Sequence, residues 1–176
     1  MVTTPQLINL TLTGIGSRFM TEQTPLILHL EHLDAGAKAQ VGGKNASLGE
    51  MIQELAHAGI RVPGGFATTA RAYWEFLEAN DLEKTIREAL ERFKAGKQSL
   101  ADTGKKIRNA ILKADMPPGL AEAIGAAYRE IASGKNKQAP VAVRSSATAE
   151  DLPGASFAGQ LETFLNIRGE KALLEA

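Results

Sequence analysis

The sequence contains no cysteine, which excludes disulfides and thiolate metal sites and fits a reducing cytosol. A cytoplasmic location is therefore expected. Neither sign of charge is in excess, since 20 Lys and Arg balance 20 Asp and Glu. That balance favours neither nucleic acid nor an anionic membrane surface as a partner. No apolar run approaches the roughly 20 residues needed to span a bilayer, and the first residues lack the basic start and apolar stretch of a secretory signal. Repeats and low-complexity tracts are absent too. What remains is an ordinary globular composition over 176 residues, enough for one good core and a second small lobe.

The two ends differ from the middle. Met1 to Phe19 is threonine-rich and weakly patterned, and Met20-Thr21-Glu22-Gln23-Thr24 reads as a more natural beginning. Residues 1–24 are expected to form a poorly ordered extension, with the folded part over residues 25–176. Glu170 to Ala176 opens a good helix after Gly169, yet the sequence stops within about two turns. The chain is therefore expected to be a truncated piece of something longer.

Leu26 to Leu33 alternates imperfectly between apolar and polar residues and predicts a strand. From Asn45 to His57 the apolar residues Leu48, Met51, Ile52 and Leu55 recur at helical spacing and predict one inward face. Gly59 stands where a left-handed cap ends such a helix. Ile60 to Ala67 reads as a short extended piece and a turn, after which Thr68 or Thr69 caps a helix with Tyr73, Trp74 and Leu77 inward. Helical stripes follow over 82–93, 103–114 and 120–131, broken by Gly96 and by Met116-Pro117-Pro118-Gly119. Strands are predicted over 140–144 and 162–167. The fold class is α+β, helix-rich with a few strands, too few for a full sheet. The strands are expected to lack sheet partners and to leave open edges and an exposed apolar face.

Chemistry concentrates in two places. Val41-Gly42-Gly43-Lys44-Asn45-Ala46-Ser47 places a lysine at the mouth of a helix after paired glycines, where an ammonium can sit beside phosphates held at the helix N-terminus. The spacing is not that of a P-loop, and the bland alternative is a turn followed by a solvated lysine. Val141-Ala142-Val143-Arg144-Ser145-Ser146-Ala147-Thr148 reads as a short buried strand delivering an arginine into small, hydroxylated residues. The planar fork of Arg144 suits two phosphate oxygens. Its alternative is an internal ion pair with Glu150 or Asp151, and Ser145, Ser146 and Thr148 could equally be ordinary turn residues. Gly154, Gly159 and Thr163 flank a segment whose backbone can approach a ligand closely, or one that is only a hairpin connection. No chemical role falls to His29, His32 or His57.

Taken together, these blocks form a recognisable series. Val41 to Met51, Val62 to Ala70, Val143 to Pro153, Ala155 to Gln160, and Glu162 to Asn166 closely resemble, in order, the N-terminal ATP-binding domain of the phosphoenolpyruvate synthase (pyruvate, water dikinase) family. The resemblance runs from about Leu26 onward. It implies an ATP-grasp-like fold in which Lys44 and Arg144 contact ATP phosphates and the loop matching Gly159 to Thr163 closes over them. Ser145, Ser146, Thr148, Gly159, Gln160 and Thr163 join the implied ATP-binding set. Leu161 departs from the polar residue usual at its position. The resemblance further implies synthesis of phosphoenolpyruvate from pyruvate, ATP and water through a phosphohistidine. The phosphocarrier and pyruvate-binding domains would lie downstream, and so would the ligands of an implied Mg²⁺. No catalytic residue is assigned within this chain, and the piece alone is expected to be inactive. The rival readings are a stand-alone, non-catalytic nucleotide-binding or interaction module, and the ATP-binding domain of an enzyme resembling rifampin phosphotransferase.

Overall fold

The computed structural model describes residues 24–132, 138–146 and 163–176. The expected extension over residues 1–24 lies, apart from Thr24, outside them. The chain opens with strand β1 (Ile27–His29) and single-turn 3-10 helices at Leu30–His32 and Ala35–Ala37. A short helix α1 (Lys38–Val41), the long α2 (Gly43–His57) and strand β2 (Phe66–Thr68) follow. Next come α3 (Ala70–Ala79), α4 (Leu82–Lys94), α5 (Leu100–Leu112) and α6 (Pro118–Ile131). Strands β3 (Val141–Arg144) and β4 (Thr163–Ile167) and helix α7 (Glu170–Glu175) close the order. The fold is helix-rich α+β, as the sequence predicts.

The predicted strand over 26–33 is cut to three residues, because Leu30 and Leu33 turn inward to 6% and 1% exposure. The strands also have partners, contrary to expectation. β1 pairs antiparallel with β2 and β3 with β4, giving two separate ribbons. A pair of short antiparallel strands needs no crossover, so neighbours along the chain can satisfy one another.

The β1–β2 ribbon divides the core. Strand alternation puts Leu28 and Ala67 on one face, packed with Leu30, Leu33, Val41, Leu48 and Ile52. Ile27 and Phe66 face the other way, toward Ala72, Leu120, Ile124, Phe76 and Leu173. Helix α2 lies so close to the Leu30–Leu33 turn that a Cβ at Gly49 would stand 2.5 Å from the Leu33 carbonyl oxygen. The Gln53 side-chain amide, one turn on, donates to the Leu33 carbonyl at 2.9 Å and the Glu31 carbonyl at 3.1 Å.

Helix ends follow local chemistry. At Gly59 (φ 74°) and Gly96 (φ 67°) the backbone enters the left-handed region, and paired amide-to-carbonyl bonds close α2 and α4 behind them. Thr69, 2% exposed, caps α3 by accepting from the Ala72 amide and donating to the Pro25 carbonyl. Along α3 it is Ala72, Phe76 and Leu77 that turn inward, while Tyr73 is 52% exposed. The inward assignment of Tyr73 is thus corrected. Helix α5 starts before the predicted Thr103, because Ser99 accepts the Asp102 amide at 3.0 Å and donates to its carboxylate at 2.6 Å. Pro118 does not separate helices but opens α6, since the first turn needs no donor there.

At the far end of the fold, Arg129 of α6 bridges Glu170 of α7 at 2.9 Å and Glu122 at 2.7 Å. The hydrogen bonds it donates to Glu170 and then to Glu122 hold its guanidinium protonated even more firmly than usual.

Candidate functional site

Gly42 makes the first element of the site. Its φ of 82° and ψ of 162° lie where a Cβ is poorly tolerated, and this break ends α1 and starts α2 on a new axis. The Gly42 carbonyl accepts the Ala46 amide at 3.2 Å, and the Asn45 side chain ties back to the Val41 carbonyl at 2.9 Å. Among the described residues no side chain caps the α2 N-terminus. First-turn amides lack an intrahelical acceptor, so this end offers N–H donors and the positive end of the helix dipole. Lys44 stands exposed on that turn.

Strand β3 supplies the second element. Alternation leaves Val141 and Val143 half-buried and Ala142 and Arg144 exposed. The expected burial of the whole strand is therefore corrected: a two-stranded ribbon covers too little of it. Arg144 is the last strand residue, and among the described residues its guanidinium makes no hydrogen bond or ion pair. Thr163 lies directly across the ladder from it. Two residues beyond Arg144, Ser146 Oγ is, among the described residues, the buried side-chain polar atom without a hydrogen-bond partner. Such an atom carries a desolvation cost unless a ligand satisfies it.

The two elements meet. A cleft of about 350 Å³ is lined by Gly43, Lys44 and Asn45 from the start of α2, by Ser47, Leu48 and Met51 one and two turns on, and by Arg144 and Ser145 after β3. Among the described residues that line it are two cations and no carboxylate. A second cavity of about 400 Å³, at the α3–α4 junction, has the opposite character, with Glu78, Asp81, Glu83 and Glu88 against Lys84 and Arg87. Arg87 is already paired with Glu83. Only the first cleft suits a polyanion. Its described lining residues offer none of the carboxylate oxygens that a bare Mg²⁺ wants.

Of the residues singled out from sequence, Lys44, Arg144 and Ser145 come together in this cleft, with Ser146 adjoining. Thr163 neighbours Arg144 but does not line the cleft. Thr148, Gly159 and Gln160 lie outside the described residues, as do Glu150 and Asp151, the alternative partners of Arg144. Asn45, Ser47, Leu48 and Met51 were not nominated. Helical spacing from Lys44 marks positions 47, 48 and 51 as its face-mates. Met51, expected in the core, is 49% exposed.

Residues 38–176 match the family described as pyruvate phosphate dikinase, AMP/ATP-binding domain. A phosphoenolpyruvate synthase from Pseudomonas aeruginosa is 52% identical over 151 residues, covering 85% of this chain and 19% of the relative. The phosphoenolpyruvate synthase of Deinococcus radiodurans is 53% identical over 135 residues, covering 76% and 17%. That of Escherichia coli is 47% identical over 154 residues, covering 87% and 19%. The chain spans about a fifth of the length of these relatives.

Proposed function

Because the chain belongs to the pyruvate phosphate dikinase AMP/ATP-binding domain family, we propose that its cleft holds the phosphates of ATP as part of a phosphoenolpyruvate synthase. One observation carries the reading. Lys44, the start of α2 and Arg144 converge on one cleft with no carboxylate among its described lining residues, and Ser146, next in sequence to the lining residue Ser145, has a buried hydroxyl oxygen without a partner among the described residues.

Each group has a separable task. The α2 amides and dipole attract phosphate oxygens without needing to move. Lys44 supplies a point charge, and Arg144 a planar fork able to bind two oxygens. Ser145 and Ser146 supply hydroxyls, and Ser146 Oγ gains the partner it lacks. In phosphoryl transfer such groups work by positioning and by offsetting charge in the transition state. Magnesium ions supply further charge neutralisation in such reactions, and their ligands are proposed to lie outside this chain. The whole reaction, from pyruvate, ATP and water to phosphoenolpyruvate, AMP and phosphate through a phosphohistidine, is proposed to need domains beyond this chain. An ATP-grasp-like arrangement, with the loop matching Gly159 to Thr163 closing over the phosphates, and a cytoplasmic location complete the proposal. Among the described residues no helix is long and apolar enough to cross a membrane.

Titration of the chain with ATP and with inorganic tripolyphosphate tests this. Both should bind, and Lys44→Ala should weaken each about ten- to hundredfold, as loss of a charged hydrogen bond does. Equal binding by Lys44→Ala and the unaltered chain would remove Lys44 from the site.

A further inference from the structure

The hairpin that carries Arg144 is not held in place by burial. No described residue of β3 or β4 is fully buried, and Phe164 and Leu165 are 42% and 71% exposed. Among the described residues, one side chain joins both of its roots to the helical body. Tyr128 of α6 is 2% exposed, and its hydroxyl donates to the Ala139 carbonyl at 2.8 Å, just before β3. The same hydroxyl accepts the Gly169 amide at 2.8 Å, just after β4. Both roots therefore meet at a single oxygen. Arg168 reinforces the join by donating to the Gln138 carbonyl at 3.3 Å.

Resting on the phosphate-binding reading of the cleft, we propose that Tyr128 is a positioning residue. By clamping both roots of the hairpin, its hydroxyl sets where Arg144, Ser145 and Ser146 stand against the start of α2. The lever is long. Ala139 to Arg144 is five residues of near-extended chain, about 16 Å at 3.3 Å per residue. A tilt of about five degrees at the root then moves Arg144 by over an ångström, enough to spoil a two-pronged contact. Tyr128→Phe keeps the buried ring and removes only the clamp.

The experiment is a double-mutant cycle on ATP affinity, measured by calorimetry on the full-length protein well below the melting temperature of every variant. Arg144→Ala should weaken ATP about ten- to hundredfold, and Tyr128→Phe roughly three- to tenfold, a part of the same contact. In the Arg144→Ala background Tyr128→Phe should cost much less, leaving only the loss from misplacing Ser145 and Ser146. A Tyr128→Phe variant with lowered melting temperature but full affinity overturns the inference and leaves the cleft reading standing. So does an equal loss in both backgrounds. Unchanged affinity in Arg144→Ala, or no ATP binding by the unaltered protein, overturns the cleft reading and this inference with it. Should Tyr128→Phe fail to fold, exposed Arg168→Ala loosens the same root. It should show a smaller loss with the same dependence on Arg144, and unchanged affinity there also overturns the inference.

Discussion

Gly42 and Gly49 serve the same helix for different reasons. Gly42 sits at a positive φ that reorients the chain between α1 and α2 and so aims the α2 N-terminus. Gly49 sits mid-helix, where an added Cβ would press on the Leu33 carbonyl oxygen at 2.5 Å and Cβ at 2.6 Å. Gly49→Ala gains about 0.5–1 kcal/mol of helix propensity but forces two backbone segments apart, an overpacking cost of about 1–3 kcal/mol. The net should be a lower midpoint in denaturant unfolding. A raised midpoint would show that α2 and the Leu30–Leu33 turn separate freely. Lys44 and Arg144 could be picked out from sequence because a cation beside glycines or small hydroxylated residues is an unusual local pattern. Met51 and Tyr73 could not be placed, since each lies at the border of an apolar stripe and only the packed neighbour decides which way it turns. Nothing local marked Tyr128 either, because its two partners come from segments that meet only in the folded chain.

Among the elements, helix ends were easiest to read where glycine supplies the left-handed residue, as at Gly59 and Gly96. The start of α5 was hidden because the apolar stripe weakens there, while the Ser99–Asp102 cap governs it. Ser99→Ala removes both hydrogen bonds of that cap and should cost about 0.5–2 kcal/mol. Chemical denaturation would read it, and a change below the error would mean the first turn of α5 frays already. The β1–β2 pairing is not legible in the sequence because β2 reads only as an extended piece before a helix. The two site elements were legible singly, but not their meeting. No periodicity reports that residue 44 on α2 and residue 144 at the end of β3 face one cleft.

For the molecule as a whole, two paired ribbons and a set of helices leave considerable apolar surface uncovered. Leu165 is 71% exposed on β4, and Leu100 and Leu112 are 70% and 82% exposed on α5. The relatives are several times longer than this chain, so such surface has further polypeptide to pack against in them. The chain by itself should associate or melt broadly, as light scattering and calorimetry would record. A sharp, cooperative transition of a monomer would contradict this. Arg144 is proposed to bind phosphate rather than to brace the fold, and this assignment decides the site. It is tested most directly by titrating ATP into Arg144→Lys alongside the unaltered protein, both at full length, with both melting temperatures in hand. A point charge cannot reproduce the two-pronged contact, so affinity should fall about tenfold or more while the melting temperature holds. Unchanged ATP affinity with a lowered melting temperature would contradict the account and return Arg144 to a structural ion pair.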